Sequence, residues 1–153
     1  MEVLWEAHMK LLIVDDEPHN LNMICQVLRE ALEADLTIAE TVSDAISALS
    51  NTKFDLVITD IFIPMGKNFR EYMGPRARKY EDNMRHLGGL ALLDDIEKMA
   101  APPKVLAHTA CTDFALLEVL GDHVIGRIPK PAPIDVFIKE IHQALKEEDE
   151  WSL

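Results

Sequence analysis

Only two cysteines occur in the 153 residues, Cys25 and Cys111. One sits inside a helical pattern and the other just after a strand-like run, so neither a disulfide framework nor a zinc spacing is present, and a reducing, cytoplasmic setting fits best. No apolar run approaches the ~20 residues that span a bilayer. The start, Met1 to Lys10, carries Glu2 and Glu6 where a signal peptide would be basic, so no membrane is expected as a partner. Basic residues are outnumbered as well: 15 Lys and Arg against 27 Asp and Glu leave a net charge of -12, which repels nucleic acid. Part of that charge lies in Glu147, Glu148, Asp149 and Glu150, which read as a short solvated acidic tail at about 147–153. No Gly-rich loop follows the first apolar run, and a dinucleotide or nucleoside triphosphate site would want one there.

Present instead is a regular alternation. Strand-like runs rich in Leu, Ile and Val occur at Leu11 to Val14, Leu36 to Ala39, Leu56 to Thr59, Val105 to Ala107 and roughly Val124 to Ile128, each read as buried. Helix-length stretches separate them. From His19 to Ala34, residues Leu21, Ile24, Leu28, Ala31 and Leu32 recur at helical spacing behind Pro18, which a first helical turn tolerates. Ser43 and Asp44 offer caps for a short helix carrying Ile46 and Leu49, and Leu90 to Ala100 reads as another. Thr112 to Leu120 is a fourth, stopped at Gly121, and Ile134 to Lys146 is a fifth with Ile134, Phe137, Ile138, Ile141 and Leu145 on one face. Five βα repeats, with 48% hydrophobic residues to fill one core, predict a single three-layer α/β domain over residues 1–153 around a parallel sheet.

Such a sheet gathers the residues at the ends of its strands. Asp15 and Asp16, Asp60, Thr109 and Lys130 each close or directly follow a strand run, so all five belong at the carboxyl edge, where α/β folds bind ligands. Three carboxylates there raise one another's pKa, a conflict that a hard cation removes. Magnesium suits them, because it takes one or two protein carboxylates and shares its remaining positions with water and phosphate oxygens. Lys130 supplies a point charge for a phosphoryl oxygen, the Thr109 hydroxyl a hydrogen bond to another, and Asp60 a nucleophile that accepts the group.

The stretches LLIVDDEPHNL, DLVITDIFIP, VLAHTA and IPKP, around Asp15 and Asp16, Asp60, Thr109 and Lys130, resemble the receiver domain of two-component response regulators over nearly the whole chain. Singly, these residues are ordinary turn, strand and loop choices; the four motifs in order are specific. The resemblance implies a flavodoxin-like, doubly wound, five-stranded parallel sheet with helices on both faces. It makes Asp60 the phosphorylated aspartate, Asp15 and Asp16 magnesium-positioning residues, the Phe62 backbone carbonyl a further metal ligand, and Thr109 a switch hydroxyl. Lys130 would bind phosphate from before a cis-type Pro131. A haloacid-dehalogenase-type phosphatase also uses an Asp nucleophile, but wants a second Asp where this chain has Phe62. His19 and His108 lie near the acidic residues, and read as a helix-start residue and a locally packed one rather than as metal ligands.

Three features depart from the family pattern. Arg127 stands three residues before Lys130, where an aromatic often couples to the Thr, and Ala132 stands two after it in place of a frequent Phe. The largest departure is an inserted segment at about 65–88. There Pro75 can open a helix with Ala77, Tyr80, Met84 and Leu87 on one face, Glu81 and Arg85 form an i,i+4 pair, and Gly88 can end it. Lys67, Arg70, Arg76, Arg78, Lys79 and Arg85 outweigh Glu71, Glu81 and Asp82, giving the segment a charge of about +3 in an acidic chain. With Phe69, Tyr72 and Met73 it has the makings of a docking element.

The expected function is a stand-alone switch. It would take a phosphoryl group from a histidine kinase or phosphotransfer protein in a Mg²⁺-dependent step and signal by binding an output protein. It would be no enzyme beyond catalysing its own phosphorylation and dephosphorylation. The competing readings are a pseudo-receiver or scaffold that binds constitutively through the insertion, and a small phosphatase turning over an external phosphomonoester.

Overall fold

The computed structural model describes residues 9–66, 88–111, 117–118, 121 and 124–151. Five strands, β1 (Lys10–Val14), β2 (Asp35–Ala39), β3 (Leu56–Thr59), β4 (Lys104–Thr109) and β5 (Gly126–Pro129), form one sheet in the order β2-β1-β3-β4-β5, with every pairing parallel. Four helices are described: α1 (Asn22–Leu32), entered through a 3₁₀ turn at Pro18–Leu21, α2 (Val42–Asn51), α3 (Gly88–Glu97) and α4 (Ile134–Trp151). This is the flavodoxin-like, doubly wound arrangement, with the strand order reversing beside β1. The expected helix from Thr112 to Leu120 lies outside the described residues except for Leu117 and Glu118, and so does the inserted segment between Gly66 and Gly88.

Alternation along the strands divides the core. Leu12 and Val14 of β1, Val57 of β3, and Val105 and Ala107 of β4 face α2 and α3, and bury Val42, Ala45, Leu92, Leu93 and Ile96 against them. Leu11, Ile13, Leu56, Ile58, Leu106 and Ile128 point the other way, onto Cys25 and Leu28 of α1 and Phe137, Ile141 and Ala144 of α4. Each large aliphatic or aromatic side chain so buried contributes about 1.5–3 kcal/mol. Since both faces of the sheet are covered, the central strands read as continuous apolar runs.

Several local expectations shift. The strands β2 and β5 are edge strands rather than buried ones, so Thr37, Ile38, Arg127 and Pro129 are exposed. In α1 the core face adds Cys25 to Leu21 and Leu28 and leaves Ala31 exposed. The residue that caps α2 is Thr41, whose side chain accepts from the Asp44 N–H at 3.1 Å; Ser43 is engaged elsewhere. Helix α3 starts two residues earlier than expected and ends sooner, at Glu97, where the Met99 N–H reaches the Ile96 carbonyl. Helix α4 runs on through Glu147, Glu148, Asp149 and Glu150 to Trp151, past the end expected at Lys146. No Gly or Pro interrupts it, and Glu is a good helix former. Among the described residues no helix is long and apolar enough to cross a membrane.

Candidate functional site

The register of the sheet brings the ends of β1 and β3 side by side, Val14 opposite Thr59, so Asp15 and Asp60 emerge as neighbours. Both remain tied to backbone: the Asp15 N–H donates to the Ala39 carbonyl at 3.0 Å and the Asp60 N–H to the Val14 carbonyl at 3.2 Å. Asp15 is 1% and Asp60 6% exposed. Two buried carboxylates need compensation, and Lys130 supplies it from the end of β5. Its ammonium donates to Asp15 Oδ2 at 2.7 Å and to Asp60 Oδ2 at 3.0 Å. The other oxygens are also engaged: Asp15 Oδ1 accepts from the Glu17 N–H at 2.8 Å, and Asp60 Oδ1 from the Phe62 N–H at 3.3 Å. The Lys130–Pro131 peptide is cis, as the resemblance implied.

Charge around this cluster is unevenly balanced. Burial alone would depress the Lys130 pKa, but the hydrogen bonds it donates to Asp15 and Asp60, with their charges, outweigh burial and hold the ammonium above its ordinary value. Asp16 sits beside the cluster, exposed, and partial burial followed by the Asp15 charge raises its pKa. Among the described residues no three His, Cys, Asp or Glu side chains are drawn into a ready metal cage; Asp15 and Asp60 converge on Lys130. An all-oxygen donor set of two convergent carboxylates, with a third carboxylate in the adjacent residue, fits magnesium rather than a transition metal.

Thr109 ends β4 with 3% exposure and lies opposite Pro129, the residue before Lys130. Its Oγ accepts from the Cys111 N–H at 3.2 Å, which shapes the turn after β4. Cys111 is a half-buried free thiol, and Cys25 a buried one whose pKa burial raises. The Phe62 side chain is 40% exposed. Arg127 is exposed on the edge strand β5.

His108 takes no part in the cluster. It is 3% exposed and packs edge-to-face on Phe137, with ring centroids 4.7 Å apart. Burial, then the Lys130 charge, lowers its pKa to about 4. His19 lies in the 3₁₀ turn that leads into α1. Both are local packing and helix-start residues, as the sequence implied.

Two parts of the site were not read from the sequence pattern. Thr59, 2% exposed, donates from Oγ1 to the Asp60 carbonyl at 2.9 Å, although a Thr at a strand end is ordinary β-propensity. The second is the set of contacts from Ser43, Gly88 and Gly89 to the loop after Asp60; the adjacent glycines were its only trace.

The chain matches no protein-family model. It is 43% identical over 58 residues to the uncharacterized protein y4jS of Sinorhizobium fredii, a match that covers 37% of this chain and 14% of that protein. Among solved structures it is similar to a CheY-like response regulator receiver domain protein from Methanospirillum hungatei, with a TM-score of 0.72 and 21% identity over 94% of this chain and 98% of that one. The signal receiver domain of an HD domain-containing protein from Pseudomonas fluorescens gives a TM-score of 0.73 at 19% identity, covering 99% of this chain and 98% of that one. The chemotaxis response regulator CheY4 of Vibrio cholerae gives 0.69 at 18%, covering 91% and all of that chain. The fold is that of CheY-like response regulator receiver domains.

Proposed function

We propose that this chain is a receiver-type phosphorylation switch and that Asp60 is its phosphoacceptor. The observation that carries the reading is the Lys130 ammonium held between the carboxylates of Asp15 and Asp60 at the carboxyl edge of the sheet. An oxygen of Asp60 forms a bond to phosphorus while the bond from phosphorus to the donor's leaving group breaks. That group is an imidazole nitrogen of a phosphohistidine, and it departs with the electron pair. Lys130 transfers its hydrogen bonds from Asp60 to an incoming phosphoryl oxygen, and the Thr109 hydroxyl donates to another. Magnesium, held by Asp15, Asp16, Asp60 and the Phe62 carbonyl, would supply charge compensation for the phosphoryl oxygens. Phospho-Asp60 then alters what binds the surface, since a switch works through differing affinities for its two states. Phosphoryl transfer to its own Asp60, and the later hydrolysis, are the only reactions in this reading. The setting is cytoplasmic and the 153 residues act as one receiver unit.

The test is direct. Acetyl phosphate with Mg²⁺ is expected to add one acid-labile phosphoryl group by intact mass, and Asp60→Asn to abolish it, because an amide is no comparable nucleophile. Undiminished labelling of that variant would remove Asp60 from the role.

The constitutive scaffold keeps a place because of the charge contrast between the segment Lys67 to His86 and the acidic remainder. Replacing that segment with a short Gly/Ser turn is expected to preserve Asp60 labelling and to remove binding of the output protein. Retention of that partner by the shortened protein in a pull-down would make the segment a tolerated loop.

A further inference from the structure

The loop that leaves Asp60 is gripped from two sides. From α3, the Gly89 N–H donates to the Ile61 carbonyl at 2.9 Å and the Gly88 N–H to the Ile63 carbonyl at 2.9 Å. From α2, the Val42 N–H donates to the Pro64 carbonyl and the Ser43 N–H to the Met65 carbonyl, each at 3.0 Å. The Ser43 hydroxyl adds a second bond to Met65, also at 3.0 Å. Helix starts carry N–H groups with no partner inside the helix, and here two helices spend theirs on one five-residue loop.

The glycines permit this approach. A Cβ on Gly89 would lie 2.3 Å from the Asp60 carbonyl oxygen and 2.6 Å from Ile61 Cα, and one on Gly88 would lie 2.3 Å from the Ile63 carbonyl oxygen. Those obstacles are backbone atoms, which cannot turn aside as a side chain does. The same loop carries the Phe62 N–H that donates to Asp60 Oδ1. Whatever displaces Ile61 also displaces that donor and the carboxylate it orients.

We propose that Gly89 is a positioning residue for phosphorylation of Asp60, with Ser43 of α2 holding the far end of the same loop. The proposal rests on the reading of Asp60 as phosphoacceptor. Alanine at position 89 forces the Asp60 peptide and α3 apart, and a misplacement of about 1 Å at a reacting group costs on the order of 10²-fold in rate. Ser43→Ala removes one of two bonds to Met65, so its effect is in the same direction and smaller.

The experiment uses the full chain and two readouts. The first is the rate constant and the amplitude of Asp60 labelling by acetyl phosphate at saturating Mg²⁺. A variant that is merely less folded loses amplitude, whereas a mispositioned one keeps amplitude and loses rate. Gly89→Ala is expected to slow labelling at least tenfold and Ser43→Ala two- to threefold, with Ser43→Thr restoring the rate. Gly126→Ala serves as the comparator: its Cβ would meet the Leu106 side chain at 2.9 Å, away from the acceptor loop, and it is expected to label at the wild-type rate. The second readout is hydrogen exchange of the Phe62 amide, which needs no phosphoryl donor. It is expected to speed at least tenfold in Gly89→Ala and to stay unchanged in Gly126→Ala. Should Gly89→Ala prove unfolded, Ser43→Ala against Ser43→Thr decides by both readouts. If the wild type takes no label, the acceptor reading of Asp60 fails, and unchanged Phe62 exchange in Gly89→Ala, or in Ser43→Ala where Gly89→Ala does not fold, would separately overturn the positioning. Labelling of Gly89→Ala at the wild-type rate, or equal slowing in Gly126→Ala, would overturn it as well.

Discussion

At the amino edge of the sheet, polar groups lie at the surface and close off backbone. Asp55 is exposed; its N–H donates to the Lys10 carbonyl, and its carboxylate accepts from the Lys10 N–H, both at 2.8 Å. The Lys104 ammonium donates to the Ala144 carbonyl of α4 at 2.8 Å. At the carboxyl edge the polar groups are buried instead, and they face one another: Asp15, Asp60 and Thr109 are each 6% exposed or less, and Lys130 bridges the two carboxylates. Buried charge is retained at a cost of several kcal/mol per ion unless it is compensated, and apolar residues of similar size would hold such an edge as well or better. The contrast teaches that polar groups at the amino edge close off backbone, whereas those at the carboxyl edge form a buried charged cluster, the place where the proposed phosphoacceptor lies.

The largest effect predicted on stability comes from a buried residue between these edges. The folded protein keeps His108 neutral down to about pH 4, whereas the unfolded chain protonates histidine near 6.5. Between those values the unfolded state binds more protons, so stability falls with falling pH and the loss is complete below about 4, at about 3 kcal/mol in all. His108→Leu has no such proton to take up. Chemical denaturation at pH 7 and at pH 4.5 is expected to show the wild type losing roughly 2–3 kcal/mol more than the variant. Equal losses would mean that the imidazole is not held in its buried neutral form against Phe137.

Next in size is Lys130→Met, which keeps an apolar stem and removes the ammonium. Asp15 and Asp60 are then left as buried carboxylates without their cation. Complete burial of an unpaired charge costs about 3–5 kcal/mol; with the Lys130 side chain 26% exposed, water moderates this to about 2 kcal/mol at pH 7. Millimolar Mg²⁺ is expected to restore part of the lost stability and to raise the melting temperature of the variant more than that of the wild type. A variant as stable as the wild type without metal, and indifferent to it, would mean that the two edges do not differ in the way described.

How much of this was legible follows from what each residue type reports. The aliphatic runs of β1, β3 and β4 announce themselves because burial on both faces leaves no room for alternation. Asp15, Asp60, Thr109 and Lys130 could be grouped because parallel strands put successive strand ends at one edge. What depends on the partner element was not legible. Whether a strand is an edge, as β2 and β5 are, is settled by sheet order, not by its own residues. Ser43 resembled a helix cap because its preference for helix starts is real, yet its hydroxyl goes to Met65, 22 residues away. Asp16 illustrates the same limit: adjacency in sequence to Asp15 placed it at the edge, yet in the turn after β1 the two residues meet different surroundings, one buried and one exposed.

The smallest effect is expected at the amino edge, and it completes the contrast. Asp55→Ala removes a carboxylate that accepts from the Lys10 N–H at an exposed position. Water can replace that acceptor, so the loss is expected to stay within about 0.5–1 kcal/mol and to lessen at high salt. Labelling of Asp60 by acetyl phosphate is expected to be unchanged in rate and amplitude, because β1 and β3 are anchored along their length by the register that pairs Leu11 with Leu56 through Val14 with Thr59. The informative comparison is with Lys130→Met under the same conditions, in which both stability and labelling should fall. If Asp55→Ala slowed labelling as much as Lys130→Met does, a change at one end of β1 and β3 would be reaching the carboxylates at the other. The two edges would then form one coupled unit rather than a structural end and a chemical end.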